Sequence, residues 1–504
     1  MKAYRTLLFI LSVFVLLGVG WYFFPDKGVV VGNTSLRFPS YAEDRYVTEP
    51  ELDVDEVLEV VSKSFEMSVS ETLLDSLEFY RDYLTINPNR IYLPENDYTF
   101  FDNLFYLLDH AKENQKIYRV MHYGDSQIEM DRISSVLRQR MQELFGGSGP
   151  NMISAVNSLS SISLTQGHTG NLIRYALAGD STRRASHHRY GVMAQFSQVN
   201  GQATVSFSKS RNSQAYEKVK EISTVSILLG NNKDNFKAYL KADGVQYDPK
   251  EVEAKTGPSL IRWELPTAIE RGTITMQGVA EIYAIMLDGG YGVAIDNNAL
   301  RGCAGDIFTR IDSSLLEESF KLLDTRLIIL QFGGNKMPMI SGTKSITNYT
   351  DELERQVQYL KRVAPQVTLL FIGPSDMGKS YNGKITTWKG LPELNDSIKS
   401  MAMRNGMAYW DMFHVMGGES SMAQYVKHKP PLGSPDHIHF TFLGAQEIGN
   451  DLAKSLIIYH DFYQLRQRLP NDDLIEFMNE DRESIEQKRE ARKNKFTPIK
   501  YYFE

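Results

Sequence analysis

At 504 residues the chain is long for one domain, and two or three are expected. Apolar residues at 42% and charged residues at 23% match an ordinary globular protein with a sizeable core. A net charge of -7 leaves no basic surplus to displace counterions from phosphates, which argues against nucleic acid as a partner. The single cysteine, Cys303, excludes an intramolecular disulfide framework and a cysteine-based zinc site.

Leu7 to Phe24 runs without a charge, preceded by Lys2 and Arg5 and followed by Pro25-Asp26-Lys27. Its length is at the lower limit for crossing a hydrocarbon core of roughly 30 Å, and the basic residues would keep the amino end cytoplasmic. Residues 1–25 are therefore expected to form a membrane anchor, with Trp21-Tyr22-Phe23-Phe24 as an interfacial belt and the body of the protein extracytoplasmic, on the periplasmic side. A cleaved signal peptide is the competing reading.

From 26 to 115 the chain is mixed, with helical spacing over Val54 to Phe65, Thr72 to Tyr83 and Phe100 to Ala111. Tyr118-Arg119-Val120-Met121-His122-Tyr123-Gly124-Asp125-Ser126-Gln127 reads as a strand, a tight turn and the start of a helix. That grammar presents a serine at the carboxyl edge of a parallel sheet. The helix is expected to run to about Phe145, where Gly146-Gly147-Ser148-Gly149-Pro150 stops it.

Between residues 151 and 294 the character changes to closely spaced short strands, among them Ala203 to Phe207, Thr224 to Leu229 and Phe236 to Ala242. Strands without intervening helices imply an inserted antiparallel β-sandwich. The α/β alternation resumes over 295–460: strands at Arg326 to Phe332, Val367 to Ile372 and Ala408-Tyr409-Trp410, helices at Tyr349 to Ala364 and Phe442 to Tyr459. This predicts an α/β fold with a parallel sheet covered on both faces. Residues 461–504 read as a charged helical tail.

Three motifs fall at strand exits of this one sheet. Gly124-Asp125-Ser126 follows the first strand, Gly333-Gly334-Asn335 follows a middle one, and Asp436-His437-Ile438-His439 precedes the last helix. An acid and a histidine three residues apart fit one turn, so that the carboxylate reaches one ring nitrogen and the other faces a serine. The combination resembles the SGNH (GDSL-type) hydrolase family, over about Tyr118 to Phe145 and Ala299 to Tyr459.

That resemblance implies a flavodoxin-like sheet in residues 116–150 and 295–460, with Ser126 as nucleophile, His439 as general base and Asp436 fixing the imidazole tautomer. It further implies an oxyanion hole made by the Ser126 N–H, the Asn335 side chain and the Gly305 N–H in Arg301-Gly302-Cys303-Ala304-Gly305-Asp306, with Gly302 as the fallback. No cofactor and no metal are implied. Two positions depart from the common pattern: Lys336 stands where many members have Asp, and Gln127 replaces the usual leucine, as in subfamilies acting on cell-wall polysaccharides. Cys303, His187 and His188 read as packing or loop residues.

A hydrolase split after its first helix by a β-module, with Leu-Arg-x-x-Met-Gln-x-x-Phe-Gly-Gly at Leu137 to Gly147, is similar to peptidoglycan O-acetylesterases, whose insertion resembles a carbohydrate-binding module. Tyr239, Tyr247 and Trp263 in the insertion are candidates for sugar contact or for core. The resemblance implies a serine esterase removing acetyl groups from peptidoglycan or another polysaccharide. An O-acyltransferase working beside a membrane acyltransferase, and a non-catalytic glycan-binding envelope protein, are the alternatives.

Overall fold

Apolar runs such as Leu327-Ile328-Ile329-Leu330 and Leu369-Leu370-Phe371-Ile372 do not alternate with polar residues, so a strand made of them needs cover on both faces. The computed structural model describes residues 76–157 and 159–469, together with 12–17, 19, 22, 29–31, 34–36, 474 and 478. It divides into two units, 1–77 and 78–504. In the first, Val29–Val31 pairs antiparallel with Thr34–Leu36, and residues 12–17 are helical with Val13, Phe14, Val15, Leu16 and Leu17 exposed. Much of Leu7 to Phe24, all of Val54 to Phe65 and most of the charged tail lie outside the described residues. Among the described residues no helix is long and apolar enough to cross a membrane.

The second unit is a six-stranded sheet between two groups of helices. In chain order its framework is β1 (Ile91–Tyr92), α1 (Asp102–Asp109), β2 (Ile117–Gly124) and α2 (Ser134–Phe145). An insertion follows, built on β3 (Asn151–Ile153), β4 (Leu164–Ala176), β5 (Gln195–Lys209), β6 (Ile222–Gly230), β7 (Phe236–Ala242), β8 (Ser259–Ile269) and β9 (Arg271–Asp288). The framework resumes with β10 (Gly292–Ala299), α3 (Ser313–Leu322), β11 (Thr325–Gln331), α4 (Thr343–Val363) and β12 (Thr368–Ile372). It closes with the hairpin β13 (Gly378–Tyr381) and β14 (Lys384–Thr387), then α5 (Leu391–Arg404), β15 (Ala408–Trp410) and α6 (Phe442–Arg466). The sheet order is β10-β2-β11-β12-β15-β1, parallel except for β1. Helix α6 packs on α2 and α1, and α4 packs on α3 and α5, which covers the two faces. Residues 91–109, read from sequence as part of the N-terminal region, belong to this unit through β1 and α1.

Two expectations shift. The helix expected directly after Ser126 begins only at Ser134, because Glu129–Asp131 form a 3-10 turn with Met130 and Asp131 at φ of 59° and 67°. Asp131 turns inward there to pair with buried Arg138 at 2.5 Å, and Ser163 donates to the same carboxylate. The insertion is antiparallel as expected, but its ladder is continuous, not split into two separate sheets. Strand β9 pairs with β7 and β5 over its first half and with β6 and β3 over its second, changing course near Gly278 (φ +125). Trp263 is buried in the insertion's core and donates to Asp248 O at 2.9 Å, Tyr247 packs against that core, and Tyr239 is half-buried.

The insertion leaves and rejoins the framework at one point. Val293 N–H donates to Gly146 O at 3.1 Å, a Cβ on Gly147 (φ +107) would lie 2.5 Å from Val293 O, and one on Gly292 (φ +104) would lie 2.2 Å from Gly146 C. Only glycine tolerates such a crossing. Beside it, Arg119 of β2 donates to Asp296 Oδ1 of β10 at 2.6 Å and to Asp288 of β9, so one buried guanidinium ties framework to insertion. Arg119→Met leaves two buried carboxylates without their cation. A loss of about 3–5 kcal/mol in unfolding free energy by urea titration is expected.

Candidate active site

Strand β2 ends at Gly124, whose missing side chain admits Ile128 at 3.0 Å and Gln331 O at 3.2 Å from where a Cβ would stand. Asp125 then caps the turn, its Oδ1 accepting the Gln127 N–H at 2.9 Å, and Ser126 projects from the carboxyl edge of the sheet. The second contributor is the loop before α6. Ser434 N–H donates to His439 O at 2.7 Å, His437 N–H donates to Ser434 O at 3.0 Å, and His437 takes a φ of 59°. In this tight loop Asp436 Oδ1 accepts the N–H groups of Ile438 (2.9 Å) and His439 (3.0 Å), while Oδ2 lies 2.8 Å from His439 Nδ1.

An ionised Asp436 only accepts, so His439 carries its proton on Nδ1 and presents a bare Nε2. Ser126 Oγ lies 2.8 Å from that nitrogen and donates to it. Burial on its own would raise the Asp436 pKa. The hydrogen bonds from His439 Nδ1 and from the N–H groups of His439 and Ile438 outweigh it and hold the carboxyl below its ordinary value.

Two side chains that follow Ser126 fasten the loops together. Gln127 Nε2 donates to Ile438 O at 2.8 Å and to Ser375 Oγ at 3.2 Å. Arg132 donates through Nη2 to Ser126 O (2.8 Å), through Nη1 to Phe440 O (2.9 Å) and through Nε to Glu129 O (3.1 Å). The carbonyls of the residues before and after His439 are thus both held from the serine's side. Glu129, buried beside them, takes Arg301 in a two-pronged pair at 2.5 Å. Arg132 and Glu129 carried no signal in the sequence, where they read as positions on a helix.

The remaining expected residues are placed as follows. Asn335, at the turn after β11, donates Nδ2 to Asp125 Oδ2 at 2.8 Å and to Cys303 O at 3.2 Å. Both of its amide hydrogens are therefore engaged, the longer bond being the one easier to release. The Gly305 N–H donates to Cys303 Sγ at 3.3 Å, so the open donor expected there is already taken. Gly305 is needed for packing instead: at φ +86 a Cβ would meet Leu353 and Phe332 at 3.0 Å. Gly302 sits on an exposed turn closed by Cys303 N–H to Leu300 O at 2.9 Å. The Ser126 N–H has no hydrogen-bond partner among the described residues.

Burial pushes the Cys303 thiol up to about 12, which makes it a packing group. His187 Nε2 pairs with Glu281 at 3.0 Å and His188 Nδ1 faces Arg310 O at 3.1 Å, both away from Ser126's partners. Among the described residues no group of three or more His, Cys, Asp and Glu converges to hold a metal ion.

A cavity of about 220 Å³ opens beside Ser126 and His439, walled by Met377, Pro338, Pro374, Trp388 and Met412 with Asn335 at its side. Its walls are mainly apolar. Desolvation by burial, only partly offset by the Gln127 N–H, the His439 charge and the Asn335 amide, pushes Asp125 up to about 6.

No family model matches the chain, and no curated protein matches it. Among solved structures, a peptidoglycan O-acetylesterase caught in action is similar at 17% identity with a TM-score of 0.57, covering 72% of this chain and 96% of that one. A family two carbohydrate esterase from Clostridium thermocellum in complex with cellohexaose matches at 9% identity with a TM-score of 0.24, covering 53% of this chain and 97% of that one.

Two outcomes are expected from these contacts. Burial pushes Asp125 up to about 6, above the ordinary carboxyl range, so between about pH 4 and 6 it holds a proton that the unfolded chain has released. Its contribution is complete below that window and lost as pH rises through it. Asp125→Asn should therefore gain about 3 kcal/mol relative to wild type between pH 4 and pH 7, read as the change in their urea-unfolding difference. Arg132→Met releases the Ser126 and Phe440 carbonyls together. Labelling of Ser126 by a fluorophosphonate should slow roughly 10- to 100-fold while the thermal transition persists.

Proposed function

We propose that this chain, which has the parallel-sheet fold of an SGNH hydrolase, is a serine esterase removing O-acetyl or other short acyl groups from peptidoglycan or another envelope polysaccharide. The observation that carries the reading is the unbroken relay from Ser126 Oγ through His439 to Asp436, with 2.8 Å at each step. The fold shared with a peptidoglycan O-acetylesterase and the inserted β-module support the choice of substrate class.

In the first half-reaction Ser126 Oγ attacks the acyl carbon as its proton passes to His439 Nε2. The imidazolium that forms is stabilised by Asp436, whose carboxyl is already held low. Negative charge on the carbonyl oxygen is met by the Ser126 N–H, and by Asn335 once its bond to Cys303 O is released. The C–O bond to the sugar breaks and the sugar oxygen takes the proton from His439. Water then gives its proton to His439 and attacks the acyl-serine, releasing the carboxylic acid and restoring the Ser126 hydroxyl.

The exposed apolar side chains of residues 13–17, within the uncharged run, support a further proposal that the enzyme is held at a membrane with its body outside the cytoplasm.

Purified protein should hydrolyse p-nitrophenyl acetate and release acetate from acetylated cell-wall fragments. Ser126→Ala should lower kcat on the order of 10⁶-fold and Asp436→Asn on the order of 10⁴-fold. Retention of turnover in Ser126→Ala would remove the assignment.

A further inference from the structure

The hairpin β13–β14 turns at Asn382-Gly383, with positive φ of 52° and 78°, the conformation that the tightest two-residue turns require. Residues opposed across an antiparallel ribbon share a face, and so do alternate residues along a strand. The register Lys379↔Thr386 and Tyr381↔Lys384 therefore puts Lys379, Tyr381, Lys384 and Thr386 on one face, and Gly378, Ser380, Ile385 and Thr387 on the other.

The second face is fastened to the loop that carries His439. Gly378 N–H donates to His437 O at 2.7 Å, and a Cβ on Gly378 would lie 2.8 Å from His437 Cβ. The first face is open and positive. Lys379 Nζ lies 4.2 Å from the centre of the Trp388 ring and 5.9 Å from that of Tyr381, and Lys389 Nζ lies 5.4 Å from Tyr381. Trp388 is also a wall of the Ser126 cavity. Lys336, next to Asn335, stands 5.5 Å from the Tyr349 ring.

Among the described residues, Lys336, Lys379, Lys384 and Lys389 form no ion pair. Neighbouring carboxylates are engaged elsewhere: Asp376 accepts the Met422 N–H at 2.8 Å and Asp436 holds His439. The Lys336 charge contributes to holding the Glu352 carboxyl below its ordinary value. In a chain of net charge -7, these unpaired cations beside the cavity mouth create a local field of opposite sign, which concentrates anions there. The aromatic rings hold two of the ammonium groups in place, so little order is lost when an anion binds.

We propose that this hairpin face, with Lys379 and Lys389 at its centre, is a subsite for a negatively charged sugar residue of the polysaccharide whose acyl group enters the cavity. The inference rests on the esterase reading of Ser126 and names the charge of its substrate. The anion is a carboxylate or a phosphate substituent of the glycan.

Binding without turnover separates this subsite from the catalytic assignment. Full-length Ser126→Ala protein is run in affinity gels containing polygalacturonate, phosphomannan or neutral xylan, at low and high salt. Retardation by at least one anionic polymer, weakened by salt, is expected, and the tighter of the two identifies the anion. Adding Lys379→Gln and Lys389→Gln should reduce that affinity roughly fivefold to tenfold, and Lys379→Arg with Lys389→Arg should restore it. Circular dichroism verifies the fold of each variant. Xylan binding as tightly as the anionic polymers, or glutamine variants binding them like their parent, overturns the proposal. In the enzyme with Ser126 intact, KM on acetylated pectin divided by KM on p-nitrophenyl acetate should rise in the glutamine variant. A parent that turns over neither ester defeats the esterase reading while the gel result still decides the subsite.

Discussion

Ser126 and His439 lie 313 residues apart in the chain, yet their meeting is governed by three short bonds. Gln127 grips the carbonyl before His439, and Arg132 grips the carbonyl after it together with that of Ser126 itself. Geometry of this kind is set in advance, and in a serine–histidine relay each ångström of misplacement is costly. The sheet supplies the coarse position, by ending β2 at Gly124 and delivering the acid–base loop next to it. The guanidinium supplies the fine one. A planar group with several donors in a fixed fork suits this task, whereas an ammonium on a flexible stem would hold one carbonyl at a time.

What was legible in the sequence was local. Asp436 and His439 are close enough in sequence to share a turn, and the serine and asparagine motifs at the other strand exits give that spacing its weight. The serine was betrayed by a strand that stops at glycine, and the parallel sheet by unbroken apolar runs. Features that depend on partners distant in sequence were hidden. Arg132 looks like any charged residue on a helix until Phe440 is beside it, and the delay of α2 to Ser134 follows from Asp131 being drawn inward to Arg138. The resemblance points to Gly305 through its neighbours in the chain, and the sulfur two residues earlier occupies its N–H. Strand β4 was missed because Gln166-Gly167-His168-Thr169-Gly170-Asn171 lacks the apolar alternation of an ordinary strand. The hairpin β13–β14 is different: Asn382-Gly383 is as clear a local turn signal as the chain contains.

Charge is distributed to match this division of labour. The buried trio of Arg119, Asp288 and Asp296 sets one guanidinium between two carboxylates and serves the joint between framework and insertion. Around the cavity the balance is left open: Asp125 is buried without a full charge partner, and lysines outside stand unpaired. Interior charges paired within the fold specify architecture, and those left without a partner near a cleft are available for chemistry or recognition.

The crossing of Gly146 and Gly147 with Gly292 and Val293 bears on how such a chain is assembled. A segment of well over a hundred residues departs and returns through a doorway one peptide wide, so the parallel-sheet framework has the same endpoints to join with or without it. The insertion is in that sense a cassette. Its own core around Trp263 can be remodelled without stretching the host sheet, whereas Tyr190, Val192 and Tyr283 share a core with Tyr123 and Phe308 and must stay with the small residues at the threshold.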